Sequence, residues 1–378
     1  MTRHHTADGV PSVRQETAGS VPSVRHGVGR ITLEVRQRLP AWKHGLYLAT
    51  SLGVGLLISV LVLWASGVGP KGIYEEFVLY TFFNAKGLSN VLVECTPLIL
   101  VGLSAALAFR VQFWNIGLEG QLILGGMGAA FVALNDYGPP EIRLWLMLAG
   151  ALAGGALWTL VPLVLKLKLN VNEIISTLLL NYVAFQLLQD RIYGAWQAAD
   201  RFPHSAQFDA GIERLSRIGF GDVGTGIYVA LAAAVVVWWL IDRSRFGMFM
   251  TFVGSNARMS KAVGLPVTAV VAGTVLLSGA LSGLAGFVVV AGQEYRLTAG
   301  FAGGYLFSGI VIAFLARNNP VAAVVVAFLL GGLYVGGQSI QVFYNLPAGV
   351  IDLLQAIVVM CVTASELFVR YRIIWRRQ

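Results

Sequence analysis

The sequence predicts an all-α integral membrane protein with about ten helices that cross or half-cross the bilayer. Three observations carry this. Of 378 residues, 56% are hydrophobic and only 12% charged, about half the charged share of soluble domains. The apolar residues come in uninterrupted runs of membrane-crossing length, which must be helical because lipid cannot satisfy an open backbone. The basic residues gather at the ends of those runs, where membrane orientation places them.

Residues 1–43 are polar, have no helical period and carry VPSVR twice, at 10–14 and 21–25. Five residues cannot make a packed unit, so a disordered basic tail is expected here. Its layout is not that of a secretory signal. The membrane domain is expected over residues 44–378. Its runs are 44–66, then 90–109 with a kink or break expected at Pro97, then 118–134, 144–165 ending at Lys166 and Lys168, and 172–190. A long polar loop follows to about residue 224. The next runs are 226–241 and 268–291, then 307–315, too short to cross alone, and finally 321–335 and 349–369.

An even number of crossings puts both termini on one side, together with the tail, Lys166, Lys168, Arg243, Arg245, Arg258, Lys261, Arg317, Arg370, Arg372, Arg376 and Arg377. The other side holds most acids with Lys71, Lys86, Arg143, Arg191, Arg201, Arg214, Arg217 and Arg296. The asymmetry predicts cytoplasmic termini in a multi-pass protein of the inner (plasma) membrane. It also accounts for the net charge of +8 without a nucleic-acid partner; membrane lipids are the surroundings. The spacings Gly150/Gly154, Gly279/Gly283 and Gly332/Gly336 predict close helix–helix approach.

Enzyme chemistry has little to stand on. The five histidines lie in the tail, at the edge of the first run or in the long loop, and the two cysteines lie in apolar runs. Neither a histidine-based triad nor a metal site is expected. No GxxxxGK[ST] loop is present, and GVGPKG at 67–72 follows a membrane run rather than a strand, so it is a chance match to GxGxxG. Polar residues inside the runs say more, since each is costly unless paired or facing water. In FWNIGLEGQ, residues 113–121, Asn115 and Glu119 sit at a run boundary, with Arg110 a candidate partner for Glu119. In NVNEIISTLLLNY, residues 170–182, Asn170, Glu173 and Thr177 share one helical face, Asn181 follows a turn later, and Asn172 and Tyr182 flank them. Asn115, Glu119, Asn172, Glu173, Thr177, Asn181 and Tyr182 are the candidates for a translocation pathway. Glu119 and Glu173, near helix starts, have an alternative role in satisfying N-terminal backbone groups. Glu94, Asp352 and Glu366 read as structural acids.

The basic island at 242–266, DRSRFGMFMTFVGSNARMSKAVGLP, contains a short amphipathic helix. Ser255 or Asn256 caps it, and Gly264 and Pro266 stop it. Met259, Ala262 and Val263 form an apolar stripe beside Arg258 and Lys261. Such a helix across the end of a bundle is a docking surface.

Taken together, FR at 109–110, FWNIGLEGQ and VNEIISTLLLNY resemble the permease subunits of bacterial ABC importers of the ribose and branched-chain amino acid class, nearest its nucleoside branch. GSNARMSKAVG at 254–264 is similar to that family's coupling helix, which seats in the ATPase; GYLFSGI at 304–310 and residues 317–320 follow its short-helix region. Met259 and Ser260 replace two alanines usual in the family, Ser308 an aspartate and Leu306 a glycine. The resemblance covers residues 42–378. It implies a type II-like permease bundle that moves a nucleoside or related polar solute by alternating access. It implies a cytoplasmic ABC ATPase that binds the ATP, a second permease subunit of the same or a different kind, and an extracytoplasmic substrate-binding protein. The chain itself would need no cofactor and catalyse nothing. Gly254, Asn256, Arg258, Lys261 and Gly264 are the expected coupling element. The alternatives are a simple-sugar or amino acid permease of the same class, and an ion-coupled carrier. The carrier would need mid-span carboxylates, whereas the acids read here as lying toward span ends.

Overall fold

The computed structural model describes residues 31–35 and 41–375, and every apolar run singled out above is helical in it. The helices are α1 (Ala41–Ala65), α2 (Pro70–Ile73), α3 (Ala85–Arg110), α4 (Leu118–Leu134), α5 (Pro140–Leu169), α6 (Glu173–Tyr193), α7 (Gly226–Asp242), α8 (Arg245–Ser255), α9 (Ala257–Ala262), α10 (Val267–Val289), α11 (Tyr305–Leu315), α12 (Pro320–Tyr344) and α13 (Ala348–Arg370). Two π-helical segments, Tyr74–Phe83 and Val290–Glu294, precede α3 and extend α10. Among the described residues, five helices are long and apolar enough to cross a membrane: α1, α3, α5, α10 with its extension, and α12. A sixth span results if α7 and α8, bent by 69°, count as one. α4 and α11 are apolar but shorter.

The sequence reading needs three corrections. Ile31–Val35 is a strand, β1, paired antiparallel with β2, Tyr371–Trp375, so that Ile31 faces Trp375 and Val35 faces Tyr371. Apolar and polar residues alternate in ITLEV, a period of two that a search for helical runs passes over. The rest of the expected tail, residues 1–30 and 36–40, lies outside the described residues, as do Arg376 and Arg377. Pro97 does not break α3, which runs unbroken for 26 residues. The ring removes the hydrogen bond to the carbonyl four residues back, and that carbonyl, Val93 C=O, instead accepts from Gln293 Nε2 at 2.8 Å. The basic island also holds one helix more than the single short one expected, with α8 ahead of α9. Ser244 Oγ caps α8 by accepting from Gly247 N–H at 3.1 Å.

α3 is the central helix, buried at every position from 95 to 108, with α10, α11, α12 and α7 around it. Beside it, α4, α5 and α10 meet backbone to backbone. A Cβ on Gly125 would lie 2.2 Å from Gly283 Cα, one on Gly283 would lie 2.3 Å from Ala151 C=O, and one on Gly155 would lie 2.2 Å from Gly279 C=O. Gly128 and Gly150 approach each other in the same way, each set against the other's carbonyl. Gly332 and Gly336 on α12 take the rings of Phe82 and Phe77 from the first π-helical segment. Each predicted glycine pair therefore has a partner surface in the structure, and α1 with α13 form a separate pair at the edge, where Gly55 sits on Val358.

The loop at 194–225 is folded rather than trailing. Arg143, at the start of α5, donates to Asp136 (2.6 Å) and to the buried Glu213 (3.0 Å), clasping the loop to the α4–α5 turn. Ser205, Phe208 and Leu215 N–H groups donate to the carbonyls of Leu297, Tyr295 and Ala291, and Phe208 is fully enclosed.

The glycine contact gives a direct test. Gly283→Ala sets a methyl against rigid backbone, and overpacking of this kind costs about 1–3 kcal/mol. Gly53→Ala, in α1 with nothing within 4 Å of the added carbon, should be neutral. Thermal unfolding in detergent should separate the two, with only the first lowering the midpoint.

Candidate functional site

Two groups of residues stand out, one buried and one presented to the outside. The buried group brings together Asn115, Thr177 and Asn181 from the sequence candidates, with Gln121, Ser104, Ser278 and Ser282. Asn115 and Gln121 exchange amide hydrogen bonds, Nδ2 to Oε1 at 3.0 Å and Nε2 to Oδ1 at 2.8 Å. Asn115 Oδ1 also accepts from Gly117 N–H at 3.1 Å, and Nδ2 donates to Ser278 Oγ at 3.2 Å. Both polar atoms of Asn115 are thus engaged twice, and the residue is fully buried. Ser104 and Ser278 donate to each other's carbonyls at 2.6 and 2.8 Å, joining α3 to α10.

Asn181 works from the facing helix. Its Oδ1 accepts from Gly120 N–H at 2.9 Å and its Nδ2 donates to Ile116 C=O at 2.8 Å. Thr177 Oγ1 accepts from Ile116 N–H at 3.2 Å while donating to Glu173 C=O at 2.6 Å. The N-cap of α4 is Gly117, which has no side chain to offer, so α6 supplies the cap that a local Ser or Asp would give elsewhere. Ser282 Oγ completes the contact from α10, donating to Leu118 C=O at 2.6 Å. The glycines allow the approach: a Cβ on Gly120 would lie 2.9 Å from Asn181 Oδ1.

The other pathway candidates lie apart from this network. Asn172 caps α6, accepting from Ile174 N–H at 2.9 Å. Glu173 is buried, and its carboxylate pairs with Lys166 Nζ of α5 at 2.7 Å rather than with a backbone N–H of its own helix start. Asn170 does not share their face, because it ends α5 in the left-handed conformation, φ +51°. Glu119 is partly buried in the first turn of α4 and has no ion pair with Arg110; the acid whose charge reaches Arg110 is Asp242. Tyr182 is exposed on α6. Gln121, Ser278 and Ser282 were missed by sequence reading. Gln121 ends the quoted FWNIGLEGQ motif, while the serines look like ordinary small residues of a glycine-rich helix.

The second group is α9 and its supports. Asn256 caps it, Oδ1 accepting from Met259 N–H at 3.0 Å. Gly264, at φ +84°, ends it while Leu265 N–H returns to Ser260 C=O at 3.0 Å. Ser260 is buried beneath the helix, whereas Arg258, Met259, Lys261, Ala262 and Val263 all face outward. The apolar stripe therefore points away from this chain, Met259 being 67% and Val263 71% exposed. Gly254 seats the preceding helix: a Cβ there would lie 2.0 Å from Arg110 C=O, so α8 rests directly on the end of α3. Beside that point Phe109, Trp114 and Phe314 stack with ring centroids 5.2 to 5.9 Å apart, tying α3 to α11.

The sequence of this chain is also similar to those of known proteins. Residues 87–363 match the family described as "Branched-chain amino acid transport system / permease component". The glucose ABC transporter permease protein TsgB13 of Haloferax volcanii is 36% identical over 355 residues, covering 91% of this chain and 93% of its own length. The guanosine ABC transporter permease protein NupP of Bacillus subtilis is 33% identical over 318 residues, covering 82% and 91%. The nucleoside ABC transporter permease protein NupB of Lactococcus lactis is 25% identical over 296 residues, covering 75% and 81%. The match takes in α3 to the middle of α13, including the braced start of α4 and the outward-facing α9, and on it the chain belongs to the family of branched-chain amino acid transport system permease components.

Proposed function

We propose that this chain is the membrane-spanning subunit of an ATP-binding cassette importer that carries a nucleoside or a simple sugar by alternating access. A separate cytoplasmic ATPase binds and hydrolyses the ATP and docks on α9. A second permease, the same chain or another, completes the bundle, and an extracytoplasmic binding protein delivers the solute. The gathering of basic residues on one side supports a cytoplasmic α9 and cytoplasmic termini in a plasma-membrane protein.

The observation that carries this reading is α9 itself. A six-residue helix capped at both ends, with two cations and an apolar stripe facing away from its own chain, has no use for that face within the bundle. A protein partner with an apolar cleft and acidic rim fits it. Because α8 rests on α3 through Gly254, a push on α9 passes to the most buried helix rather than to a loose loop. The relatives named for guanosine and for glucose support a solute rich in hydroxyl groups.

Within this reading the Asn115–Gln121–Asn181 network braces α4 against α6 and α10, and the pathway runs elsewhere. Two outcomes are expected. Arg258→Glu with Lys261→Glu should lower ATP-dependent uptake of guanosine or glucose by about tenfold or more through charge reversal at the dock. Membrane insertion should be unchanged, and uptake at the wild-type rate by that double mutant would refute docking through α9. Asn181→Leu should strand Gly120 N–H and Ile116 C=O in a dry contact, at about 1–3 kcal/mol for each group. The expected readout is a lower unfolding midpoint in detergent, with the KM of the surviving protein unmoved.

A further inference from the structure

A long apolar space lies between the α1–α13 pair and the rest of the bundle, and neither the brace nor the docking helix uses it. It consists of two cavities. The first, of about 180 Å³, is enclosed by Leu52 and Leu56 of α1, Val358 and Val362 of α13, and apolar residues of α11 and α12. The second, of about 330 Å³, lies between Leu56, Val60 and Leu63 of α1 and the stretch from Pro70 to Val78. Leu56 and Phe77 line both, so the two meet end to end. The walls are almost wholly carbon. Ser59, set among them on α1, spends its hydroxyl inside its own helix by donating to Gly55 C=O at 2.8 Å.

The fold builds this space, because the side chains that could fill it are seated elsewhere. The rings of Phe77 and Phe82 rest on Gly336 and Gly332 of α12, where an added Cβ would lie 3.0 and 2.4 Å from them. Phe82 also packs on Phe328, with ring centroids 6.1 Å apart. On the other side Gly55 holds α1 against α13, a Cβ there lying 3.1 Å from Val358 Cα, so neither helix closes over the space by itself. Apolar cavities of about 150 Å³ stay dry and take up apolar ligands. The stretch from Leu52 to Leu63 rises about 16 Å from near the middle of α1, the depth of one leaflet of a hydrocarbon core about 30 Å thick. Val60 and Tyr74 line the second cavity and are themselves exposed. The space therefore opens on the outer surface of α1, where Leu57, Leu61 and Trp64 are also exposed. On its rim, between Pro70 and Tyr74, Lys71 forms an exposed ion pair with Glu75 at 3.7 Å. Tyrosine and tryptophan at such a rim suit the headgroup level of a bilayer.

We propose that this space is a binding site for one phospholipid, whose acyl chain fills the two cavities while its headgroup lies over Lys71 and Glu75. The cation matches a phosphate and the neighbouring carboxylate an ammonium, so the lipid is one whose head carries both charges. The bound chain completes the joint between the α1–α13 pair and the bundle. This does not depend on which solute the protein carries.

The test uses the full chain, extracted with its associated subunits from native membranes in mild detergent, and native mass spectrometry. After washing that strips loosely held lipid, each chain should keep a single phospholipid. Offered phosphatidylethanolamine and phosphatidylglycerol together, the washed protein should take up the former, and its unfolding midpoint should rise. Leu56→Phe sets a ring where the cavities meet and should cut retention about tenfold, the loss for two methylenes kept out of an apolar site. The midpoint of that variant should no longer respond to added lipid. Lys71→Ala, at an exposed position, should cut retention about threefold, the scale of an exposed ion pair, with its midpoint in detergent alone unchanged. If Leu56→Phe fails to assemble, wild-type retention and Lys71→Ala decide the matter. A wild type that keeps only detergent, or retention undiminished in both variants, would overturn the proposal. So would a disulfide between two chains carrying Val60→Cys in a Cys95→Ser, Cys361→Ser background, because a second copy would then cover the opening. Preference for phosphatidylglycerol would overturn the match of Glu75 to an ammonium.

Discussion

The contact on which the rest depends is the backbone-to-backbone meeting of α4, α5 and α10. Between apolar helices in lipid there is little hydrophobic driving force, and association relies on dispersion and on how closely surfaces fit. Glycine at Gly125, Gly155, Gly279 and Gly283 removes the side-chain layer that would otherwise hold the axes apart. The carbonyls of one helix then lie against the Cα atoms of the next. That closeness makes the buried hydrogen bonds possible, because Ser278 and Ser282 are short and reach α3 and α4 only if α10 lies against them.

Once the helices are this close and dry, every helix end and every broken backbone bond inside the bundle must find a partner from another element. The start of α4 has a glycine cap and takes its hydrogen bonds from Asn181 and Thr177. The carbonyl freed by Pro97 takes its bond from Gln293. In water either gap would be filled by solvent; here the cost of leaving it open, several kcal/mol in a lipid-like medium, fixes which side chains must be polar. The buried amides thus account for themselves as structure.

The same economy of contact reaches the end of the bundle that carries α9. α8 turns by 69° from α7, lands on the end of α3 through Gly254, and leaves α9 projecting with its apolar stripe outward. The aromatic stack of Phe109, Trp114 and Phe314 joins the end of α3 to α11, the helix that also carries Tyr305 and Ser308.

The sequence by itself determined the membrane class, the position of each apolar run, the glycine pairs, and the ends of α9, at Ser255 or Asn256 and at Gly264. These depend on composition, on period and on local backbone preference, which act over a few residues. The tertiary structure alone decided what the polar residues do. Asn115 and Asn181 look like pathway residues when only their type and depth are known. They become a brace once residues some sixty positions apart in the chain are seen to share hydrogen bonds. Glu94 looks like a span-end acid until α3 is seen to start at Ala85. The continuity of α3 through Pro97 likewise required knowing that Gln293, far along the chain, would reach the freed carbonyl. In each case the deciding quantity was whether a buried polar atom finds a partner, and partners that come from other helices leave no mark in local sequence.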